Sequence, residues 1–148
     1  MQISELISAE RIRCNVKVSS KKSVLEELAK LIANTDPSLT YTEIFSCLVG
    51  REKLGSTGIG EGVAIPHCRY SDCKVTTGAF LQLKEPVDFD AIDQQPVDLV
   101  FALLVPENST DEHLQVLSNL AELFSDNSLL ERLRVESDPE EIYKILTG

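Results

Sequence analysis

The segment from Arg51 to His67, REKLGSTGIGEGVAIPH, brings an arginine, four glycines and a histidine close together in the sequence. His67 is one of two histidines in the chain, and imidazole is nucleophilic and largely neutral near pH 7. The guanidinium of Arg51 carries a permanent charge in a planar shape that matches phosphate oxygens. These residue types indicate that the segment handles a phosphoryl group, with His67 as the nucleophile.

The same residues also have purely structural interpretations. His67 could be a loop histidine bonded to the backbone, although the glycine-rich turn and Pro66 constrain the chain there. Arg51 could neutralise carbonyl groups at the end of its helix. Ser56 and Thr57 could offer hydroxyl or amide donors to a phosphate, or could simply satisfy a turn.

The second histidine, His113, follows Ser109 and Thr110, either of which could cap a helix. We therefore expect His113 in a first helical turn, where unpaired N–H groups and the helix dipole stabilise an anion. It could assist phosphoryl chemistry there, or it could be a surface histidine on a capped helix.

Nucleotide and metal chemistry receive less support from the sequence. Gly55-x-x-x-x-Gly60 is followed by Glu-Gly instead of the Lys-Ser/Thr of a P-loop, and it is not a GxGxxG fingerprint, so no nucleotide cofactor is expected. A zinc site could in principle use His67, Cys68, Cys73 and His113. Their spacing lacks the usual short ligand pair, so no metal is expected.

Composition describes one ordinary globular domain over residues 1–148, with 43% hydrophobic and 26% charged residues. No apolar run is long enough to span a bilayer, and the N-terminus lacks a signal-peptide pattern, so a cytoplasmic location is expected. The net charge of −10 disfavours nucleic acid and anionic lipid as partners. It suits a basic protein partner, or it simply keeps the chain soluble. The sequence leaves the oligomeric state open.

Four cysteines, at positions 14, 47, 68 and 73, lack a CxxC pair. In a cytosolic protein of this size they are expected to be reduced thiols. Cys68 is of interest because it directly follows His67.

Strand and helix patterns alternate along the chain. Strands are predicted from period-2 alternation at 12–18, at 63–65, at 75–84 ending before Glu85-Pro86, and as a doubly buried apolar run at 97–105. Helices are predicted after Ser4, from a cap at Ser20 or Ser23 to the break at Asp36-Pro37, from Thr40 to about Lys53, from Ser109 onwards, over 128–135 and over 139–146. Thr40-x-x-Glu43, Ser109-x-x-Glu112 and Ser137-x-x-Glu140 have the pattern of capping boxes. The fold class predicted is α/β, a single domain with a mixed sheet flanked by helices on both faces.

With these residues in place, the chain resembles the enzyme IIA proteins of the bacterial phosphotransferase system, in the fructose/mannitol superfamily and especially its nitrogen-regulatory type. The resemblance covers nearly the whole chain. Its most specific segments are REKLGSTGIGEGVAIPH, VDFDAIDQQPVDLVFALLVP and EHLQVLSNLAELF. It implies the mixed-sheet fold of that family, in agreement with the pattern above.

The resemblance also implies site residues. His67 corresponds to the phosphorylated histidine of the A-I-P-H motif, His113 to a neighbouring histidine that supports the phosphorylated state, and Arg51 to an arginine of the same pocket. The implied donor is an HPr-type (NPr) carrier protein, and no cofactor is required. Implied targets are regulatory proteins such as potassium-transport or sensor-kinase components. Cys68 stands where the family commonly has glycine.

Three functional hypotheses remain open at this point. The favoured one is a covalent phosphoryl carrier, rather than a turnover enzyme, whose phosphorylation state controls its protein partners. The second is a sugar-specific IIA subunit that passes phosphate to a IIB domain. The third is a binding module that no longer accepts phosphate, against which the joint presence of both histidines and Arg51 argues.

Overall fold

The computed structural model describes residues 2–108 and 111–148, and within them six strands form one mixed sheet flanked by helices. In chain order the elements are α1 (Ile3–Leu6), a 3-10 turn (Ala9–Arg11), β1 (Ile12–Val16), α2 (Lys21–Thr35), α3 (Tyr41–Glu52), β2 (Gly58–Gly60), β3 (Val63–Ala64), β4 (His67–Tyr70), β5 (Thr77–Val87), β6 (Val97–Pro106), α4 (Asp111–Leu123), α5 (Asn127–Val135) and α6 (Pro139–Thr147). No helix within the described ranges is both long and apolar enough to cross a membrane.

Strand β6 lies at the centre of the sheet. On one side β5 pairs with it antiparallel, and β1 lies parallel to β5. On the other side β3 and then β4 pair with it in parallel, and β2 pairs antiparallel with β3. The mixed sheet predicted from the sequence is therefore confirmed.

Both faces of β6 are buried, which explains its nearly continuous apolar sequence. Val100, Ala102 and Leu104 join the core formed with α2 and α3. The alternate positions, such as Phe101 and Leu103, join the core formed with α4, α5 and α6. The prediction of helices on both faces of the sheet is confirmed.

Of the two caps predicted for α2, the structure uses Ser20, whose side chain accepts from the Ser23 N–H. Two other predicted helix starts differ in the structure. Thr40 stands at the N-cap of α3 but its side chain makes no cap bond, and the Glu43 carboxylate instead accepts from the Tyr70 hydroxyl. The capping box predicted there is wrong because a tertiary contact takes its glutamate. The first helix likewise begins after Gln2 and not after Ser4.

The start of α6 also differs, because Asp138 caps it by accepting from the Glu140 N–H. The box predicted at Ser137 is therefore displaced by one residue. The predicted box at Ser109 and Glu112 lies outside the described residues.

The strands also differ from prediction at their ends. β5 continues through Pro86 to Val87. Pro86 cannot donate a hydrogen bond to the neighbouring strand, and the register shift between Gln82 and Val87 accommodates it. β1 ends at Val16, beside the positive φ of Asn15. The glycine-rich segment, predicted as a loop, contains the short strand β2 paired with β3.

Candidate functional site

His67 is the first residue of β4, a strand that the sequence pattern does not predict. Its backbone pairs with Leu103 of β6, and the Leu103 N–H donates to the Pro66 carbonyl at 2.8 Å. Pro66 also excludes the helical region for the residue before it. The backbone that carries the His67 ring is therefore fixed to the central strand.

The His67 ring is oriented by one short contact, 2.8 Å between its Nδ1 and the Ile65 carbonyl oxygen. A carbonyl oxygen only accepts hydrogen bonds, so Nδ1 must carry the proton. The lone pair of the neutral ring is then on Nε2. This contact is the backbone bond that the structural interpretation of His67 required, and it also makes Nε2 the nucleophilic atom.

Burial is the largest cause that lowers the pKa of His67 below its ordinary value of 6.5. The positive charge of Arg51 lowers it further, while the bond to Ile65 and the charge of Glu52 act in the opposite direction. The net lowering keeps the ring neutral at pH 7.

His113 lies in the first turn of α4 and faces His67, with 5.4 Å between the ring centroids and 58° between the ring planes. Only 8% of His113 is exposed. Burial lowers its pKa most, followed by the charge of His67 when that ring is protonated and then by the guanidinium charges of Arg69 and Arg51. Among the described residues, nothing hydrogen-bonds its buried Nδ1. A buried polar atom without a hydrogen-bond partner favours the binding of a ligand group that can bond to it.

Arg51 lies in the last turn of α3, and its Nη1 donates to the Gly55 carbonyl at 3.0 Å. In the part of the chain that the structure describes, no carboxylate lies within salt-bridge distance of it. Its charge nevertheless acts on both His67 and His113. The structure therefore brings together two neutral imidazoles and one guanidinium, which together could receive an anionic group.

Ser56 and Thr57 make other contacts. The Ser56 hydroxyl donates to the Phe89 carbonyl and accepts from the Gly58 N–H. The Thr57 hydroxyl and N–H both donate to the buried Glu52 carboxylate, which also pairs with Lys21 at 2.7 Å. No contact within the described ranges joins either hydroxyl to the His67 ring, so a role for them in binding phosphate stays a prediction.

Sequence reasoning missed Glu52 and Arg69. Glu52 clamps the start of the glycine-rich segment to α3, and nothing in its sequence position indicates burial. Arg69 lies two residues after His67 on β4 and is therefore on the same face of the strand. Recognising β4 would have added this second guanidinium to the site.

Two of the cysteines are not the reduced thiols that were predicted. A disulfide joins Cys47 of α3 to Cys68 of β4, with 6.1 Å between their Cα atoms, while Cys14 and Cys73 are free. Helix α3 packs against β4, and this contact between residues far apart in sequence brings the two sulfurs together. Cys68 is thereby occupied and could not act as a thiolate ligand of zinc.

Comparisons with known proteins agree with this geometry. Residues 5–148 match the family model described as "Phosphoenolpyruvate-dependent sugar phosphotransferase system, EIIA 2". A nitrogen regulatory protein of Pseudomonas aeruginosa is 46% identical over 99% of this chain and 95% of its own length. The crystal structure of nitrogen regulatory protein IIA-Ntr from Neisseria meningitidis superposes with a TM-score of 0.92, at 49% identity over 98% of this chain and 99% of that one. IIA mannitol from Escherichia coli superposes with a TM-score of 0.80, at 26% identity over 95% and 98%.

Proposed function

The chain belongs to the EIIA 2 family of the phosphoenolpyruvate-dependent sugar phosphotransferase system, and on that basis we propose that His67 is the residue that carries its phosphoryl group. The observation that carries the proposal is the hydrogen bond from His67 Nδ1 to Ile65, which leaves Nε2 free. That ring lies beside His113 and within the field of Arg51.

The similarities favour a regulatory member of the family. Identity to the nitrogen regulatory proteins of Pseudomonas aeruginosa and Neisseria meningitidis is 46% and 49% over nearly the whole chain, against 26% to IIA mannitol. The fold alone does not distinguish the two types, since both structures superpose well. The higher identity supports a protein whose phosphorylation state regulates partners.

The proposed reaction is a direct transfer between two histidines. The Nε2 lone pair of His67 attacks the phosphorus of a phosphohistidine on an HPr-type (NPr) carrier. The bond from phosphorus to the donor nitrogen breaks, and its electron pair returns to the carrier's ring. As the new Nε2–P bond forms, the His67 ring becomes more positive, so its Nδ1–H bond to the Ile65 carbonyl strengthens.

Arg51 and His113 are proposed to stabilise the charge on the transferring group. The guanidinium offers planar donors to phosphoryl oxygens. A neutral His113 ring offers one N–H, and its position is fixed by burial in the first turn of α4. Fixed donors need little reorganisation during transfer, which is why such groups accelerate phosphoryl transfer.

Partner proteins are proposed to dock around this site in the cytoplasm. Leu54, three residues after Arg51, is 84% exposed, and Leu114, next to His113, is 64% exposed. Apolar side chains of this size beside a reactive group are typical of a protein-docking surface. The proposed readers are regulatory targets such as potassium-transport or sensor-kinase components.

The alternative is a sugar-specific IIA subunit that passes its phosphate to a IIB domain. The structural similarity to IIA mannitol is the observation that supports this alternative. Incubating the phosphorylated protein with fructose- and mannitol-type IIB domains distinguishes the two. Stoichiometric transfer to a IIB would establish the alternative, while retention of the phosphate supports the regulatory function.

The proposal is tested by intact-mass spectrometry after incubation with phosphoenolpyruvate, enzyme I and an HPr-type carrier. We expect one phosphate adduct that is lost in acid and stable in base. The His67→Ala variant should show none, while Cys14→Ser, which lies away from the site on β1, should be labelled like the parent. Adduct formation on His67→Ala at the parent level would overturn the assignment.

A further inference from the structure

The disulfide between Cys47 and Cys68 lies in the same helix–strand contact as the proposed phosphorylation site. Cys47 stands on α3 one turn before Arg51, and Cys68 directly follows His67 on β4. The crosslink therefore joins the element that carries the guanidinium to the element that carries the nucleophile.

The spacing of this contact is regular. Glu43, Cys47 and Arg51 recur every four residues on one face of α3, a rise of about 6 Å per step. Along β4, Tyr70 and Cys68 are two residues apart, a rise of about 6.6 Å. Since Tyr70 bonds Glu43 and Cys68 bonds Cys47, the next step along this face places Arg51 beside Pro66, the residue directly before His67.

Contacts other than the crosslink also hold both elements in the fold. β4 is already paired with β6 over four residues, and α3 packs into the core through Ile44 and Leu48. What the disulfide adds is a fixed position of the last turn of α3 relative to β4. That turn carries Arg51, whose positive charge acts on the His67 ring.

Resting on the function proposed above, we propose that Cys47 and Cys68 form a reversible dithiol–disulfide site whose oxidation raises the rate at which His67 accepts a phosphoryl group. Fixing a guanidinium in place before the reaction lowers the cost of positioning it. Reduction removes this link between α3 and β4, so that Arg51 has a wider range of positions relative to the His67 ring.

The chemistry requires an oxidant, for which a small-molecule disulfide such as oxidised glutathione suffices. The thiolate of Cys47, which is half-buried while Cys68 is 6% exposed, attacks one glutathione sulfur and expels a glutathione thiolate. The thiolate of Cys68 then attacks the Cys47 sulfur and expels the second glutathione. Two protons leave the protein and two electrons pass to the glutathione pair.

The test first equilibrates the protein with glutathione buffers of graded ratio and counts free thiols by alkylation and mass. The glutathione is then removed, and the initial rate of phosphoryl transfer from the HPr-type carrier is measured for each form. Cys47→Ser prevents the crosslink while preserving the residue beside His67. Cys14→Ser removes a thiol that takes no part in the pair.

We expect two thiols to be lost and regained reversibly, and the oxidised form to accept phosphate about threefold faster or more. Cys47→Ser should be indifferent to glutathione and match the reduced rate, while Cys14→Ser should respond like the parent. Equal rates in the two forms, or a thiol count that glutathione does not change, would overturn the proposal.

If neither form is labelled, the proposed function is wrong. The coupling between the cysteine pair and His67 is then tested by a measurement that does not need phosphoryl transfer. This measurement is an NMR titration that gives the pKa of the His67 ring in the oxidised and in the reduced protein. Different pKa values uphold the coupling between the cysteines and the site, and identical values refute it.

Discussion

At the scale of single residues, one hydrogen bond decides the chemistry of His67. The Ile65 carbonyl fixes the proton on Nδ1, so the ring presents Nε2 without needing a catalytic base. Burial lowers the pKa of both histidines, and the charge of Arg51 acts in the same direction on each. The site therefore holds a guanidinium beside neutral rings, and a phosphoryl group accepted there, as proposed, would supply the negative charge.

The pH dependence of phosphoryl acceptance follows from the lowered pKa of His67. We expect the initial rate to stay level from pH 8 to about 6.5 and to fall only at lower pH, where the ring becomes protonated. NMR titration of the same ring should give a midpoint below 6.5. A midpoint above 6.5, with the rate falling between pH 8 and 7, would contradict the burial argument.

The same lowering of pKa affects stability in a defined direction. Below pH 6.5 the unfolded chain binds protons at its histidines that the folded chain does not, so the free energy of unfolding should decrease as pH falls. The stability that the neutral histidines contribute is fully present above their unfolded pKa of about 6.5, and it is lost as the pH falls from there through their lower folded pKa. Urea unfolding of the parent and of His113→Gln at pH 7.5 and 5.5 measures it. The variant should lose less stability on acidification.

Replacing His113 tests its role in transfer. His113→Ala should keep the fold but slow phosphoryl acceptance by roughly 10²- to 10³-fold, the range for loss of one charge-stabilising donor. Rapid-quench transfer kinetics measure the rate, and circular dichroism checks the fold. Gln115→Ala, an exposed position on α4 with no proposed role in docking or transfer, serves as the control and should keep the parent's transfer rate. An unchanged rate for His113→Ala would return this residue to a structural role.

At the scale of elements, the glycine-rich segment is held by close packing. A Cβ on Gly58 would lie 2.6 Å from the Ala91 Cβ and 2.9 Å from its Cα. β2 and the loop that carries Ala91 can therefore approach only because Gly58 lacks a side chain. The Ser56 hydroxyl, bonded to Phe89, ties the same two segments together.

Two alanine substitutions test this packing against each other. Gly58→Ala should destabilise the protein by about 1–3 kcal/mol, because the backbone must shift to relieve the overlap. Gly50→Ala, in α3 with nothing within 4 Å of its added Cβ, should instead stabilise by about 0.5–1 kcal/mol through helix propensity. Urea unfolding measures both changes. Equal effects of the two substitutions would mean that the contact with Ala91 does not limit the approach of the two segments.

At the scale of the whole molecule, sequence periodicity predicted the long elements and missed two short strands, β2 and β4. β6 and α2 carry enough regular apolar residues to be recognised alone. β2 and β4 are only three and four residues long, and they exist because a neighbouring strand supplies their hydrogen-bond partners. The pattern around His67 was therefore interpreted as a loop.

The sequence also could not show which residues come together at the site. Residue types indicated His67 and Arg51, but the spacing of 46 residues between the two histidines gave no reason to place them together. Their proximity was expected only from the family resemblance, and the structure places the rings 5.4 Å apart. The partners of Glu52 and of Cys47 depend on how α3 packs, which no local pattern encodes.

The attachment of β4 to β6 has a consequence for how a partner could distinguish the two states that the proposed phosphorylation of His67 creates. His67 is joined through its backbone to the most buried strand, so a phosphate on Nε2 cannot displace that backbone without breaking sheet hydrogen bonds. The phosphorylated and unphosphorylated states would then differ in charge and not in backbone conformation. A reader protein must compare electrostatic potentials, and its preference between the two states should weaken steadily as ionic strength rises.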